Sequence, residues 1–395
     1  MEHKHHATAL KHLVSKAGGF VAIFGAIGVI LGLERAGMIF AELKSFGGAS
    51  GGALVMILLA AGKTPREIFK IFLEPDMVDF LPTHNHLLTY IRRRFSRTQA
   101  VRLANALTGY FASEKLGAFL QAKVSEWPSK FWTVLITLLG DQLFCHEGGI
   151  VLLTRTGRRF QLTTSPPDSI AAILSAACGV PELIEATPPE RVFGDMSFLH
   201  LSEEERREVL AAFRCEAVLA ALRSYDGLDS SRWANGALMD GAFSSDGMCP
   251  MRTVLRELSA RPDEVIACAP TGVRFEVHLA SYRALRKLLP VLPRLPYDAR
   301  LENQGELAIT PWVPRLGPLE AHLTLTQKLD AVFAGFEATM RTLGSLQCLG
   351  QLPPGLRIPS EMEQFGTLIE LVELSGDVAY GRRFRERADR RHKPA

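Results

Sequence analysis

The stretch "SFGGASGGALV", residues 45–55, places Ser50 among four glycines, between two apolar runs. Within it, residues 48–52 match the pattern GxSxG. In this pattern a sharp turn between a strand and a helix holds the serine hydroxyl clear of the backbone, where it acts as a nucleophile. Gly48 and Gly52 are the small residues that such a turn needs, because the strand and the helix pass close together there. The pattern therefore predicts acyl transfer through Ser50.

A serine hydroxyl needs a base, and the usual base is a histidine held by a carboxylate. Two histidines follow Ser50 at a distance, His278 and His322, and neither lies in a recognisable loop at the end of a strand. Asp240 directly follows an apolar strand candidate at residues 236–239. Side chains at the carboxyl edge of a sheet project toward a ligand crevice, so Asp240 is predicted as the base.

Two other aspartates, Asp226 and Asp246, also stand before a glycine. Neither directly follows an apolar strand, so both rank behind Asp240 for the role of base. Gly241 and Ala242 form the predicted loop that carries Asp240. The helix that follows the serine adds free backbone N–H groups and a positive dipole end, which favour an anion at this site.

Alternating apolar strands and helices must position these residues. Capping patterns begin helices at Thr64 and Ser202, and five prolines in residues 290–314 predict an irregular linker. Predicted strands lie at 13–14, 40–46, 236–239 and 265–269, a hairpin at 150–155 and 159–164, and helices at 26–36, 52–61, 170–178, 251–260 and 325–346, with 76–140 mainly helical. This order predicts an α/β core in residues 1–275, followed by a linker and helical region with a basic tail in residues 276–395.

One uncharged segment, residues 17–33, is similar to a signal-peptide core or a short membrane span. It contains five glycines, no small-residue cleavage site follows it, and Glu34 and Arg35 come next. These features favour a buried strand, loop and helix instead.

The composition indicates a packed, soluble protein, since 47% of the residues are apolar and 22% are charged. The six cysteines lie far apart without a CxxC pair, which favours reduced thiols and a cytoplasmic location. A net charge of +3 is too small to indicate a nucleic-acid partner. The basic tail, residues 382–395, favours a solvated terminus over contact with anionic lipid. His84, His86 and residues 145–147 lack a second ligand pair at a diagnostic spacing, so no metal site is predicted.

The GxSxG pattern followed much later by Asp-Gly-Ala resembles the patatin-like phospholipases. Four further stretches are similar to that family and occur in its order, spanning about residues 13–270 together with the two motifs. These stretches are "GVILGLERAG" (28–37), "ALVMILLAAGKTPREI" (53–68), "SAACGVPELIEATPP" (175–189) and "DGAFSSDGMCPMRTV" (240–254). The ordered set is more specific than either motif alone.

The resemblance implies a patatin-like three-layer α/β sandwich with a mainly parallel central sheet and a helical C-terminal extension. It implies a Ser-Asp dyad of Ser50 and Asp240, which works without a histidine, a metal or an organic cofactor. The implied substrate is a phospholipid or lysophospholipid at a membrane surface, met by a cytoplasmic protein that binds membranes peripherally. A protein activator and the oligomeric state stay open.

The family's oxyanion loop reads Gly-Gly-Gly-x-Arg/Lys-Gly, whereas residues 18–23 read Gly-Gly-Phe-Val-Ala-Ile. Main-chain N–H groups bind an oxyanion whatever the side chain, so Gly18, Gly19 and Phe20 are the predicted donors. Two alternatives stay open beside the hydrolase, and the altered loop motivates the first of them. One is a catalytically weak or inactive protein of the same fold that binds lipid or a partner, and the other is a Ser-His-Asp esterase using His278 or His322.

Overall fold

The computed structural model describes residues 9–73, 113–137, 142–146, 149–153, 159–163, 166–178, 238–243, 248–274, 306–317 and 323–376, with the single residues 276, 277, 280, 284, 287 and 381. The strands are β1 (His12–Ser15), β2 (Ser45–Gly48), β3 (Phe131–Thr137), β4 (Gln142–His146), β5 (Gly149–Leu153), β6 (Arg159–Thr163), β7 (Leu238–Asp240), β8 (Val265–Cys268) and β9 (Leu307–Ile309). The helices are α1 (Gly19–Arg35), α2 (Gly51–Ala60), α3 (Pro65–Leu73), α4 (Ser113–Gln121), α5 (Pro166–Ala177), α6 (Met251–Glu257), α7 (Leu325–Cys348) and α8 (Glu361–Ser375).

The described strands form one sheet in the order β6-β5-β4-β3-β2-β1-β8-β9, and β7 pairs with β3 outside this path. The five strands β3, β2, β1, β8 and β9 run parallel. Beyond β3 the sheet continues as an antiparallel series through β4, β5 and β6. The carboxyl ends of the parallel strands therefore meet at one edge, where α/β proteins place their ligands.

Helices cover both faces of the parallel sheet. Successive side chains of a strand point to opposite faces, so one strand contributes apolar residues to both helix layers. Leu13 of β1 and Phe131 of β3 pack into the large apolar cluster that contains α1, α2 and α7. Their neighbours Val14 and Trp132 point the other way and pack with Val254 of α6. The chain is thus a three-layer α/β sandwich with a mainly parallel sheet, as the resemblance implied.

Helix α1 lies buried against α7, α2 and α3, which explains why its sequence is apolar on nearly all sides. It approaches α7 so closely that a Cβ on Gly28 would lie 2.0 Å from the carbonyl oxygen of Val332. A Cβ on Gly335 would in turn lie 2.3 Å from the carbonyl oxygen of Gly25. The segment at residues 17–33 is therefore a core helix with its preceding loop, and no helix among the described residues is long and apolar enough to cross a membrane.

The structure confirms the hairpin of β5 and β6, the capped start of α3 at Thr64 and the long helix α7. Four expectations were wrong in part. Helix α1, expected at 26–36 after a strand and a loop, begins at Gly19. The strand expected at 40–46 is a short 3-10 turn followed by β2, residues 131–137 form β3 instead of helix, and β9 lies within the region expected to be irregular. Strands β3 and β9 both lie in the parallel sheet, where pairing with distant partners outweighs local preference. The helix expected from Ser202 lies outside the described residues.

Strand β9 and helix α7 belong to the part of the chain after residue 275. Strand β9 extends the parallel sheet beside β8, and α7 packs along α1. Helix α8 is tied to the same layer by Glu370, which binds Arg66 at 2.6 Å and Arg35 at 3.3 Å. These contacts join the later region to the sheet layer, and the division into residues 1–275 and 276–395 stays a prediction.

Candidate active site

Ser50 lies at the turn between β2 and α2, with φ 52° and ψ −132°. Among the described residues that are not glycine, only Ser50 and Ser259 have a positive φ. This left-handed conformation is strained for an L-residue, and such strain is typical of a nucleophile at a strand-to-helix turn. The hydroxyl stands at the carboxyl edge of the sheet although the residue is only 6% exposed.

The glycines around Ser50 are required by close packing of main chains. A Cβ on Gly48 would lie 2.7 Å from the nitrogen of Ala53, and one on Gly52 would lie 2.5 Å from the carbonyl oxygen of Lys16. A Cβ on Gly51 would lie 2.4 Å from the carbonyl oxygen of Gly19. The turn is therefore rich in glycine because α2 on one side and the loop after β1 on the other leave no room for a Cβ.

Asp240 reaches Ser50 because β2 and β7 share one side of β3. Strand β2 pairs with β3 up to Gly48 opposite Thr133, and β7 pairs with β3 up to Asp240 opposite Leu135. Strand β4 occupies the other side of β3 over these positions, so β2 and β7 lie on the same side. The two strands run toward each other and end two β3 residues apart. Their ends therefore bring the serine turn and the aspartate together.

The side chains of Ser50 and Asp240 are hydrogen-bonded, and the Asp240 carboxyl also accepts a 2.8 Å bond from the N–H of Ala242. Asp240 is 1% exposed. The pKa of Asp240 is raised from 3.8 to about 7. Burial raises this pKa, and its effect exceeds that of the two hydrogen bonds, which lower the pKa. Gly241 allows this turn, because a Cβ there would lie 2.2 Å from the carbonyl oxygen of Val134.

The strand that carries Asp240 differs from the sequence prediction in its direction. The aspartate was expected to project from the carboxyl edge of the sheet, after a strand at residues 236–239. Instead β7 has three residues and runs antiparallel to β3. Asp240 still ends its strand, and it lies beside the serine because β7 approaches β2 end to end.

The loop after β1 supplies a second helix N-terminus near Ser50. Gly18 has φ 155° and ψ 25°, Gly19 has φ 53°, and α1 begins at Gly19. The first N–H groups of a helix have no acceptor within it, which favours an anion at the start of α1. In α2 the N–H groups of Gly52 and Ala53 already donate to the carbonyls of Ala49 and Ser50. Because the carbonyl of Gly19 packs on Gly51, the two N-termini lie side by side.

Phe20 stands where the family's loop has a third glycine, and it is the second residue of α1. Within the loop that begins α1, only Gly18 and Gly19 have a positive φ, so Phe20 needs no left-handed conformation. Its ring stacks on Phe24 with a centroid distance of 6.3 Å. The missing third glycine therefore causes no backbone strain at this position.

Cys178 lies against Ser50, which sequence reasoning did not predict. The residue follows α5, is 4% exposed, and its side chain is hydrogen-bonded to that of Ser50. Burial, and then the charge of Asp240, raise the pKa of this thiol well above its ordinary value, so it stays protonated. Its only sequence signal was its place in the alanine-rich stretch that follows the family's order.

The competing bases named from the sequence, Asp226, Asp246, His278 and His322, lie outside the described residues. The same holds for His84 and His86, and the side chains of residues 145–147 are also not described. Among the residues that the structure describes, no cluster of three or more potential metal ligands occurs.

This fold and this turn define an α/β protein that presents a strained serine at the carboxyl edge of its sheet. A sequence profile of the patatin-like phospholipases matches residues 14–247, which include both Ser50 and Asp240. The chain belongs to the patatin-like phospholipase family. No protein of curated function matches the sequence significantly.

Among solved structures, the chain is matched by VipD from Legionella pneumophila, with 13% sequence identity and a TM-score of 0.38, covering 86% of this chain and 67% of VipD. Human GIVD cytosolic phospholipase A2 has 9% identity and a TM-score of 0.37, covering 91% of this chain and 63% of the human one. Its complex with methyl gamma-linolenyl fluorophosphonate has 11% identity and a TM-score of 0.34, covering 93% and 60%.

Proposed function

We propose that this protein hydrolyses fatty-acyl esters of phospholipids or lysophospholipids through an acyl-enzyme on Ser50, with Asp240 as the base. The observation that carries the proposal is the hydrogen bond between a strained serine and a buried carboxyl whose pKa is raised to about 7. A general base works best when its pKa lies near the operating pH. Membership of the patatin-like phospholipase family supports a lipid ester as the substrate.

In the first step Asp240 takes the hydroxyl proton of Ser50 while the Ser50 oxygen attacks the ester carbonyl. The tetrahedral intermediate collapses, the carbon to alkoxy-oxygen bond breaks, and the leaving alcohol takes the proton from Asp240. In the second step Asp240 takes a proton from water, and the resulting hydroxide attacks the acyl-enzyme. Collapse returns the serine oxygen its proton and releases the fatty acid.

The oxyanion of both tetrahedral intermediates is held by main-chain N–H groups of Gly18, Gly19 and Phe20. Support comes from the start of α1 at Gly19, from its contact with the elbow at Gly51, and from the unstrained conformation of Phe20. Preorganised donors of this kind stabilise developing negative charge, and each is worth roughly a hundredfold or more in rate. The mechanism calls on no metal or organic cofactor.

Labelling by a fluorophosphonate probe tests the nucleophile. The purified chain should be labelled on one serine and release free fatty acid from phospholipid vesicles, and Ser50→Ala should lose both properties. Ser259→Ala is the matched control, because Ser259 also has a φ of 52° and lies outside the site. Labelling that persists in Ser50→Ala would refute the assignment, and a wild-type chain without label or turnover would favour the non-catalytic lipid-binding alternative.

A further inference from the structure

Phe20 stands where the candidate site meets solvent. The dyad itself is covered, since Ser50 is 6% exposed and Asp240 is 1% exposed. In the continuous run of residues 12–33, which leads from β1 through most of α1, only Gly19 and Phe20 are not buried. Residues 45–59, which carry the serine turn, are all buried. Of these two segments, only Gly19 and Phe20 are therefore open to an approaching substrate.

The ring of Phe20 is held in place by its neighbours. Phe20 is the second residue of α1, and helix side chains lean toward the N-terminus, which for α1 lies at the carboxyl edge of the sheet. One turn later, Phe24 is 1% exposed, and its ring lies at an angle of 22° to that of Phe20. The Nζ of Lys328 lies 5.8 Å from the Phe24 ring and donates to the carbonyl of Leu73 at 2.8 Å. The Phe20 ring thus rests on a fixed support while part of it stays open to solvent.

The proposed oxyanion donors bring an acyl group to this ring. In that mechanism the carbonyl oxygen of the ester binds main-chain N–H groups that include that of Phe20, so the carbonyl carbon lies close to the Phe20 side chain. The contact of the Gly19 carbonyl with Gly51, next to Ser50, supports this placement. A phenyl ring suits a hydrocarbon chain and not a polar headgroup, because polar atoms buried against it would lack hydrogen-bond partners.

We propose that Phe20 is a specificity-determining residue, whose ring contacts the first carbons of the fatty-acyl chain and favours longer chains over acetyl. The inference rests on the proposed acyl transfer at Ser50, and it names the acyl chain as the part of the substrate that Phe20 contacts. The patatin-like oxyanion loop has glycine at this position, which offers no side chain for such a contact. The contact therefore belongs to a residue in which this chain departs from the family's pattern.

The test compares p-nitrophenyl octanoate with p-nitrophenyl acetate, two soluble esters with the same leaving group. Each methylene removed from water is worth roughly fourfold in binding, and one face of a ring covers about half of two or three methylenes. Phe20→Ala should therefore lower the octanoate-to-acetate ratio of kcat/KM about five- to tenfold. Phe20→Leu keeps an apolar side chain and should hold the ratio within about twofold. Damage to the fold or to the N–H donors would lower the rates of both esters together and leave their ratio unchanged.

Phe40→Ala is the matched control. Phe40, like Phe20, is partly buried and packs against the large apolar cluster. It lies in the 3-10 turn before β2, at the amino edge of the sheet, whereas Ser50 follows the carboxyl end of that strand. Its replacement should leave the ratio unchanged. If Phe20→Ala fails to fold, Phe20→Gln replaces it, because glutamine keeps a long side chain but removes apolar surface, and the same loss is expected.

The ratio decides the proposal when the wild-type chain hydrolyses the esters. A ratio that Phe20→Ala leaves unchanged or raises overturns the acyl contact and leaves the hydrolase standing. An equal loss of the ratio in Phe40→Ala overturns the contact as well, because that residue lies at the other edge of the sheet.

If the wild-type chain hydrolyses neither ester, the proposed hydrolase fails, and titration calorimetry with decanoate decides the acyl contact. Decanoate should bind to the wild-type chain and at least about fivefold more weakly to Phe20→Ala, since the same methylenes lose the ring. Equal binding by the two chains, or no binding by the wild-type chain, refutes the contact too.

Discussion

The side chain of Ser50 is hydrogen-bonded to that of Asp240, although the two residues are far apart in sequence. Their meeting depends on β3, which pairs with the strand before the serine and with the strand that carries the aspartate. A single strand thus sets the geometry of the candidate dyad.

Activity on a soluble short-chain ester should rise as pH increases through about 7 and then level off. Asp240 must be ionised to accept the serine proton, and burial raises its pKa to about 7. The ratio kcat/KM measured from pH 5 to 9 reports this ionisation in the free protein. A rate that is flat across this range would rule out Asp240 as the titrating base.

Asp240→Asn should lower kcat by about a thousandfold or more, yet make the protein more stable at pH 8. Because the pKa of Asp240 is raised from 3.8 to about 7 in the folded state, its contribution to stability is lost as pH rises between these values. The neutral amide avoids that loss, so the variant should melt a few degrees higher at pH 8. The difference should vanish near pH 4. A variant that melts lower at pH 8 would contradict the burial cost.

Gly28→Ala should destabilise the protein by about 3 kcal/mol or more, because the new methyl group would lie 2.0 Å from the Val332 carbonyl oxygen and push α1 from α7. Gly366→Ala is the matched control. Gly366 lies within α8, and a Cβ there meets nothing within 4 Å. Its replacement should stabilise the helix by about 0.5–1 kcal/mol. Urea unfolding of both variants measures the two effects, and equal midpoints would contradict the close helix packing.

Cys178→Ala should reduce kcat roughly three- to tenfold, since the Ser50 hydroxyl loses a neutral hydrogen-bond partner. The pH midpoint of activity should stay near that of Asp240, because a protonated thiol carries no charge. Cys268→Ala is the control, as Cys268 is equally buried but ends β8, two strands from β2. It should leave kcat unchanged. Equal losses in both variants would mean that Cys178 acts through packing alone.

The local parts of the site were predictable from the sequence. A run of small residues around one serine, between two apolar runs, indicates a strand, a tight turn and a helix, and the structure has β2, the strained Ser50 and α2 in that order. Asp240 was singled out because it directly follows an apolar strand candidate at residues 236–239, and in the structure it is the last residue of β7. These features depend on neighbours in sequence, so the sequence expresses them directly.

Other parts of the site depend on contacts between distant segments. The strand β3 was expected to be helical, and a strand as short as β7 carries no local signal for its partner or its direction. The place of Cys178 against Ser50 follows from the packing of α5, which no spacing in the sequence indicates. The ordinary helical conformation of Phe20 likewise emerges only from where α1 begins.

The sequence by itself therefore determined the serine turn, the identity of the facing carboxylate and the family of the chain. The tertiary structure decided how that carboxylate is placed beside the serine. It lies at the end of a strand that runs antiparallel to β3 and meets β2 end to end. The physical reason is that backbone conformation is set largely by near neighbours, whereas strand pairing and burial are set by groups that come together only when the chain is folded.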